Sequence, residues 1–164
     1  MSRRFTPAMR RARMLALLLP AALLAGAWGS QLIGHLYPCE MCHWQRWPHY
    51  AALPLALLAF FVPQRSVAKG LVIVAAVLIA VSGMIGVAHA GVEYHWWNGF
   101  TACTQTVDLR GLGPADRLAA LMKAPVVRCD TAQWTFAGIS LAGYNAILSL
   151  GGAALILWLM RKAQ

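Results

Sequence analysis

The chain has 164 residues, of which 60% are hydrophobic and only 12% charged, well below the roughly 25% charge of an ordinary soluble domain. Its formal charge of +9 comes from basic residues gathered at a few points along the chain. That placement argues against a nucleic-acid-binding surface and for a membrane protein organised as one domain over residues 1–164.

In chain order, the first apolar run covers residues 14–37 and contains no Asp, Glu, Lys or Arg. Arg3, Arg4, Arg10, Arg11 and Arg13 precede it. A basic start, an apolar run and Ala25-Gly26-Ala27 also describe a cleaved signal peptide. However, the run continues through Trp28, Leu32, Ile33 and Leu36 to Tyr37, past the roughly 7 to 15 residues of a signal core. A twin-arginine signal is discounted because Phe5 directly follows the pair. The first run is therefore predicted to be a retained span.

A short external segment, residues 38–46, leads to a second run at 47–62 that carries Pro48 and Pro54. Proline is tolerated in a membrane helix where neighbouring helices satisfy the freed carbonyl. A basic turn with Arg65 and Lys69 precedes the third run at 70–92, and a long segment, 93–136, separates it from the fourth at 137–160. The expected fold is an all-α four-transmembrane-helix bundle with a long second external loop. Within that loop, Pro114 to Ala124 reads as a short amphipathic helix, with Leu118, Leu121 and Met122 on one face. It would either lie on the membrane or cover the outer end of the bundle. The loop's Gly99, Gly111, Gly113, Pro114 and Pro125 predict mobility.

Charge sets the orientation. Arg3, Arg4, Arg10, Arg11, Arg13, Arg65, Lys69, Arg161 and Lys162 fall on one side with no anion, which marks it as cytoplasmic. All five acids, Glu40, Glu93, Asp108, Asp116 and Asp130, fall on the other with Arg46, Arg110, Arg117, Lys123 and Arg128. Both termini are then cytoplasmic and Cys39, Cys42, Cys103 and Cys129 lie outside, where disulfides persist. A bacterial inner membrane facing the periplasm fits this arrangement. Trp44, Trp47, Tyr50, Tyr94, Trp96 and Trp97 flank the outer ends of the runs, where amphipathic rings collect.

Four external cysteines allow several readings. Two structural disulfides are one, since a bridge from Cys103 to Cys129 would stabilise by a few kcal/mol through restricting the unfolded chain. Cys39 and Cys42 restrain almost nothing, and Cys-x-x-Cys is a spacing at which one thiolate can be made to attack or leave. A four-thiolate zinc site fits less well, because zinc usually takes a closer second pair and an oxidising compartment competes for the thiols. Cys39-Glu-Met-Cys42-His43 also matches the attachment signature of a c-type haem, but the loop around it is short and Cys103 and Cys129 are left unexplained.

Arg46 lies four residues beyond Cys42, one helical turn on, where a permanent cation favours the thiolate. An arginine snorkelling to lipid phosphates is the plain alternative. His89 falls near the outer end of the third run, where an ionisable group faces the bundle interior or water. It reads either as a polar partner for a ligand or as a packed histidine, and His35, His49 and His95 are less informative.

Together these features resemble the disulfide bond formation protein B (DsbB) family of bacterial inner-membrane thiol oxidases. The resemblance rests on Pro38-Cys39-x-x-Cys42, Arg46, the Cys103 and Cys129 pair in a long second loop, and four spans with both ends inside. It implies a relay with Cys39, Cys42, Cys103 and Cys129 as the redox-active residues. A reduced periplasmic thioredoxin-fold oxidase of the DsbA kind would attack the Cys103 to Cys129 disulfide. Electrons would pass to the Cys39 and Cys42 pair, and Cys42 would reduce a membrane quinone of ubiquinone type beside Arg46 and His89. Alternatives are a relay running in the reducing direction, as in relatives of vitamin K epoxide reductase, a membrane c-type cytochrome, and a four-span assembly subunit stapled by two disulfides.

Overall fold

The computed structural model describes residues 5–104, 110–123 and 127–163. Arg3, Arg4, Asp108, Ala124 and Pro125, which enter the readings above, lie outside the described residues. Helix α1 spans Pro7–Leu32, α2 Glu40–Phe61, α3 Arg65–Glu93, α4 Pro114–Lys123 and α5 Leu141–Lys162. A single 3-10 turn at Ala102–Thr104 and a two-strand hairpin, β1 Thr135–Phe136 and β2 Ile139–Ser140, complete the described elements.

Local chemistry sets the helix ends. Thr6 caps α1 by accepting from the Met9 amide at 3.3 Å, with Pro7 in the first helical position, where its missing N–H costs nothing. The helix starts seven residues before the apolar run and closes at Leu32, ahead of His35 in the left-handed region at φ 54°. α2 begins on a sulfur cap: Cys39 Sγ accepts from the Cys42 amide at 3.3 Å. It ends at Phe61 because Val62, ahead of Pro63, is extended. α5 is capped by Ser140, whose hydroxyl accepts from the Gly143 amide at 3.1 Å, and Arg161 and Lys162 complement its C-terminal dipole.

The start of the fourth run is corrected. Residues 137–140 belong to the hairpin, where Ala137 at φ 47° and Gly138 at φ 77° form the two-residue turn with positive φ at both positions that strand twist favours. Tyr94 at the end of α3 holds this hairpin, with its hydroxyl donating to the Gly138 carbonyl at 2.9 Å and accepting from the Ser140 amide at 2.8 Å.

The long helices pack α2 on α3, α3 on α5, α5 on α1 and α1 on α2. Their contact surfaces are built from small residues, with Ala12, Ala16, Ala52, Ala56, Ala59, Ala68, Ala75 and Ala76 all buried. Small residues let backbones approach closely. At Gly86 a Cβ would lie 3.0 Å from the Ala142 carbonyl oxygen and 3.0 Å from the Ala146 amide. The large apolar side chains point the other way: Leu18, Leu57, Leu58, Ile73, Val77, Ile147 and Leu155 are exposed. Oil outside and small residues inside is the pattern of a chain solvated by lipid. α1, α3 and α5 are long and apolar enough to cross a membrane. α2 has the length, but Glu40, His43, Gln45, Arg46 and His49 occupy its first half. In α4, Leu118, Leu121 and Met122 are exposed.

Candidate active site

A second buried cluster sits at the other end of the molecule from the basic termini and joins Cys39, Met41, Val92, Cys103 and Cys129. One element supplies both inner thiols: Cys39 caps α2 and Cys42 lies in its first turn. Both are free, with sulfurs 3.1 Å apart. Cys103, in the 3-10 turn, is disulfide-bonded to Cys129 with Cα atoms 5.5 Å apart. That bridge is buried, at 3% and 0% exposure for the two residues. Val92 and Met41 pack against it. Both cysteine pairs therefore share one apolar cluster.

A chain of buried polar groups runs from the inner pair into the helix core. Ser149 donates to Asn145 Oδ1 at 3.0 Å. The Asn145 amide donates to Gln45 Oε1 at 2.8 Å, and the Gln45 amide lies 2.7 Å from His89 Nδ1. With its oxygen already accepting from Asn145, Gln45 must present its N–H to His89. His89 then carries its proton on Nε2, which faces Cys39 Sγ at 3.5 Å. Every donor in the series points toward the sulfurs, and such aligned bonds polarise one another.

The electrostatic result is a split between two neighbouring thiols. The Cys39 thiol is pushed up, first by donating to Cys42 and then by burial. The Cys42 thiol is held below the ordinary range, first by the hydrogen bond from Cys39, with a smaller contribution from the Arg46 charge. The sequence reading gave Arg46 the leading part in this. In the structure its guanidinium turns toward α1, donating to Gln31 Oε1 at 2.8 Å and the Ala27 carbonyl at 3.1 Å, over the Trp28 ring at 5.5 Å. It is buried, at 8% exposure, which is not the position of a snorkelling arginine.

Two cavities border Cys42. One of about 190 Å³ is mostly apolar and lies between α1, α2 and α5, lined by Leu23, Ala27, Cys42, Arg46, His49 and Asn145 among others. The other, about 50 Å³, lies toward the long loop and is lined by Tyr37, Cys39, Cys42, Arg46, His89, Glu93 and Arg128 among others. His89 borders the smaller cavity. Donor atoms of Cys39, Cys42 and His89 lie within 4.8 Å of one another, but the imidazole nitrogen facing the sulfur holds the proton. That tautomer suits hydrogen bonding to sulfur and opposes metal ligation there. His43 is exposed, whereas Cys39 is 4% exposed against Val92 and Met41, which leaves little room for a haem on that sulfur.

The model for disulfide bond formation protein DsbB matches residues 9–159. The chain belongs to the DsbB family. No curated protein and no solved structure matches it. Membership makes it a disulfide-generating membrane oxidoreductase that acts on thiols, in a family known to use quinone. In this DsbB-family chain, the sequence reading singled out Arg46 and His89 but missed Gln45, Ser82, Asn145 and Ser149 and made little of His49. Their signal was available as polar residues at helical spacing inside apolar runs, Gln45 and His49, Ser82 and His89, Asn145 and Ser149.

Proposed function

We propose that this protein is a four-span inner-membrane thiol oxidase that reoxidises a periplasmic DsbA-like thioredoxin-fold oxidase and delivers the electrons to a ubiquinone-type membrane quinone. The observation that carries the reading is the position of the inner pair. Cys39 packs in one cluster with the Cys103–Cys129 bridge, while Cys42 borders an apolar cavity at the level of the helices. Family membership supports the thiol chemistry. The basic termini and the Arg65 to Lys69 turn, without anions, support cytoplasmic ends and periplasmic cysteines.

The relay follows from exchange chemistry. A partner thiolate attacks Cys103, breaking its bond to Cys129 and forming a mixed disulfide. Because the bridge is buried, the long loop must first open. The Cys129 thiolate then attacks Cys39 of an oxidised inner pair, and Cys42 leaves as the thiolate. A sulfur favoured as its thiolate leaves faster, and the Arg46 charge beside Cys42 favours its thiolate. The partner's second thiolate attacks its own sulfur in the mixed disulfide, releasing the oxidised partner and the Cys103 thiolate. That thiolate attacks Cys129, re-forms the outer bridge and leaves Cys39 and Cys42 reduced.

A quinone supplies an acceptor for two electrons and two protons. Cys42 and Arg46 would hold it in the larger cavity, the guanidinium donating to a ring oxygen. His89 would act beside that site through Cys39, holding a proton at Nε2 against the sulfur. The test is oxidation of a reduced thioredoxin-fold dithiol by the purified protein with a water-soluble quinone. Stoichiometric quinone consumption is expected, with no Soret absorption. Dithiol oxidation without quinone loss, or a Soret band, would remove the reading.

A further inference from the structure

Among the described residues, His49 has a nitrogen without a partner. The residue is 2% exposed, lines the larger cavity with Cys42 and Arg46, and its Nδ1 is buried without a hydrogen-bond partner. Its other nitrogen is crowded by acceptors. Nε2 lies 3.2 Å from Asn145 Oδ1, 2.9 Å from Ser82 Oγ and 3.4 Å from Ser149 Oγ. Ser82 spends its only hydroxyl proton on the Gln45 carbonyl at 2.7 Å, and Ser149 spends its own on Asn145 Oδ1 at 3.0 Å. Each therefore turns a lone pair toward His49. Three acceptors around Nε2 place the proton there, so the unpartnered Nδ1 of the neutral ring is a bare acceptor.

Its position relative to Cys42 sets what it meets. Seven residues on along α2, His49 lies about 10.5 Å further along the axis and within about 20° of the same face, with Arg46 between them. A six-membered ring with oxygens at opposite ends places them about 5 Å apart. A ring held beside Cys42 by Arg46 therefore directs its far oxygen along the helix toward His49, with a hydrogen bond of about 3 Å to complete the reach. We propose that His49 Nδ1 is the binding partner of the ring oxygen remote from Cys42, and that it recognises the hydroxyl of the quinol in preference to the carbonyl of the quinone. A hydroxyl can donate to a bare nitrogen; a carbonyl oxygen cannot. The Arg46 end serves either redox form, because a guanidinium donates to carbonyl and hydroxyl oxygens alike. Discrimination therefore resides at His49. Tighter binding of the quinol makes the bound couple a stronger oxidant, by about 30 mV for a tenfold preference, which favours electron flow out of Cys39 and Cys42.

This inference rests on the quinone reading and is tested by binding without turnover. Dissociation constants are measured by tryptophan fluorescence, using a short-chain p-benzoquinone with the oxidised full-length protein and its quinol with the reduced protein. The native chain is expected to bind the quinol about tenfold more tightly. H49Q keeps a donor toward Asn145, Ser82 and Ser149 but removes the δ-side nitrogen. It should weaken the quinol about tenfold, shift the quinone less than threefold and leave thiol exchange at Cys103 intact. H49N, with an acceptor near the δ position, should recover part of the preference, and it carries the test if H49Q does not fold. Equal affinities in the native chain, or a preference unchanged in H49Q, would overturn the role of His49 alone. Failure of the native chain to bind either ligand would overturn the quinone reading and this inference with it.

Discussion

The two cysteine pairs are held in opposite ways. Cys39 and Cys42 stand on a helix, joined to α3 and α5 by a directional series of polar groups, and the hydrogen bond between the two thiols sets which sulfur is favoured as thiolate. Cys103 and Cys129 stand on a loop and a 3-10 turn, held by a covalent bond and by apolar burial against Val92 and Met41. Reactivity at the inner pair is therefore governed by electrostatics. At the outer pair it is governed by access, since a buried neutral disulfide reacts only when uncovered.

That contrast is open to test. The largest effect belongs to Cys42→Ser, which should end quinone-coupled turnover yet leave the outer bridge able to oxidise one dithiol per molecule. A quench experiment counting oxidised partner checks it, and sustained turnover would mean that electrons bypass the inner pair. Arg46→Met comes next. Loss of one charge-assisted hydrogen bond of about 1.5 kcal/mol should raise the KM for quinone roughly tenfold. Single-turnover exchange with the partner should change little, and Lys should restore part of the loss because it keeps the charge without the planar fork.

Gln45→Leu tests the electrostatic half of the comparison. The Cys42 thiol lies below the ordinary range, so its thiolate is present above that lowered pKa and is lost as pH falls through it. Breaking the chain at Gln45 should raise the Cys42 pKa toward an ordinary thiol. Iodoacetamide labelling of the reduced protein at neutral pH should then slow several-fold, with a labelling midpoint moved to higher pH; one pKa unit corresponds to about tenfold. An unmoved midpoint would detach the polar chain from the sulfur. The smallest change is expected from Val92→Ala. Loss of about 1 kcal/mol of packing over the bridge should speed its reduction by a small dithiol roughly fivefold without altering Cys42 labelling.

The membrane character of the chain and the gathering of its four cysteines at one end of the helices were readable from the apolar runs, because lipid imposes long uninterrupted segments. Span boundaries were less readable. Nothing in hydropathy separates Ala137 from the helix that follows, since its turn is set by two residues at positive φ and by Tyr94 reaching from α3. Arg46 was visible by spacing, but its direction toward Gln31 and Trp28 depends on how α1 crosses α2. The same limit hid Gln45 and Asn145, 100 residues apart in the chain and hydrogen-bonded in space. Burial of the Cys103–Cys129 bridge was not legible, because glycine and proline content describes a loop's backbone but not what its cysteines pack against.

Cys39 serves as both a thiol and the cap of α2, through the bond from the Cys42 amide to its sulfur at 3.3 Å. A helix start fixed by a redox-active atom makes backbone order follow oxidation state. Whenever Cys39 is drawn away to bond a sulfur from the loop, the Cys42 amide loses its acceptor and the first turn of α2 loosens. Hydrogen exchange at that one amide therefore follows how often Cys39 is drawn away, without a cofactor or a mutation.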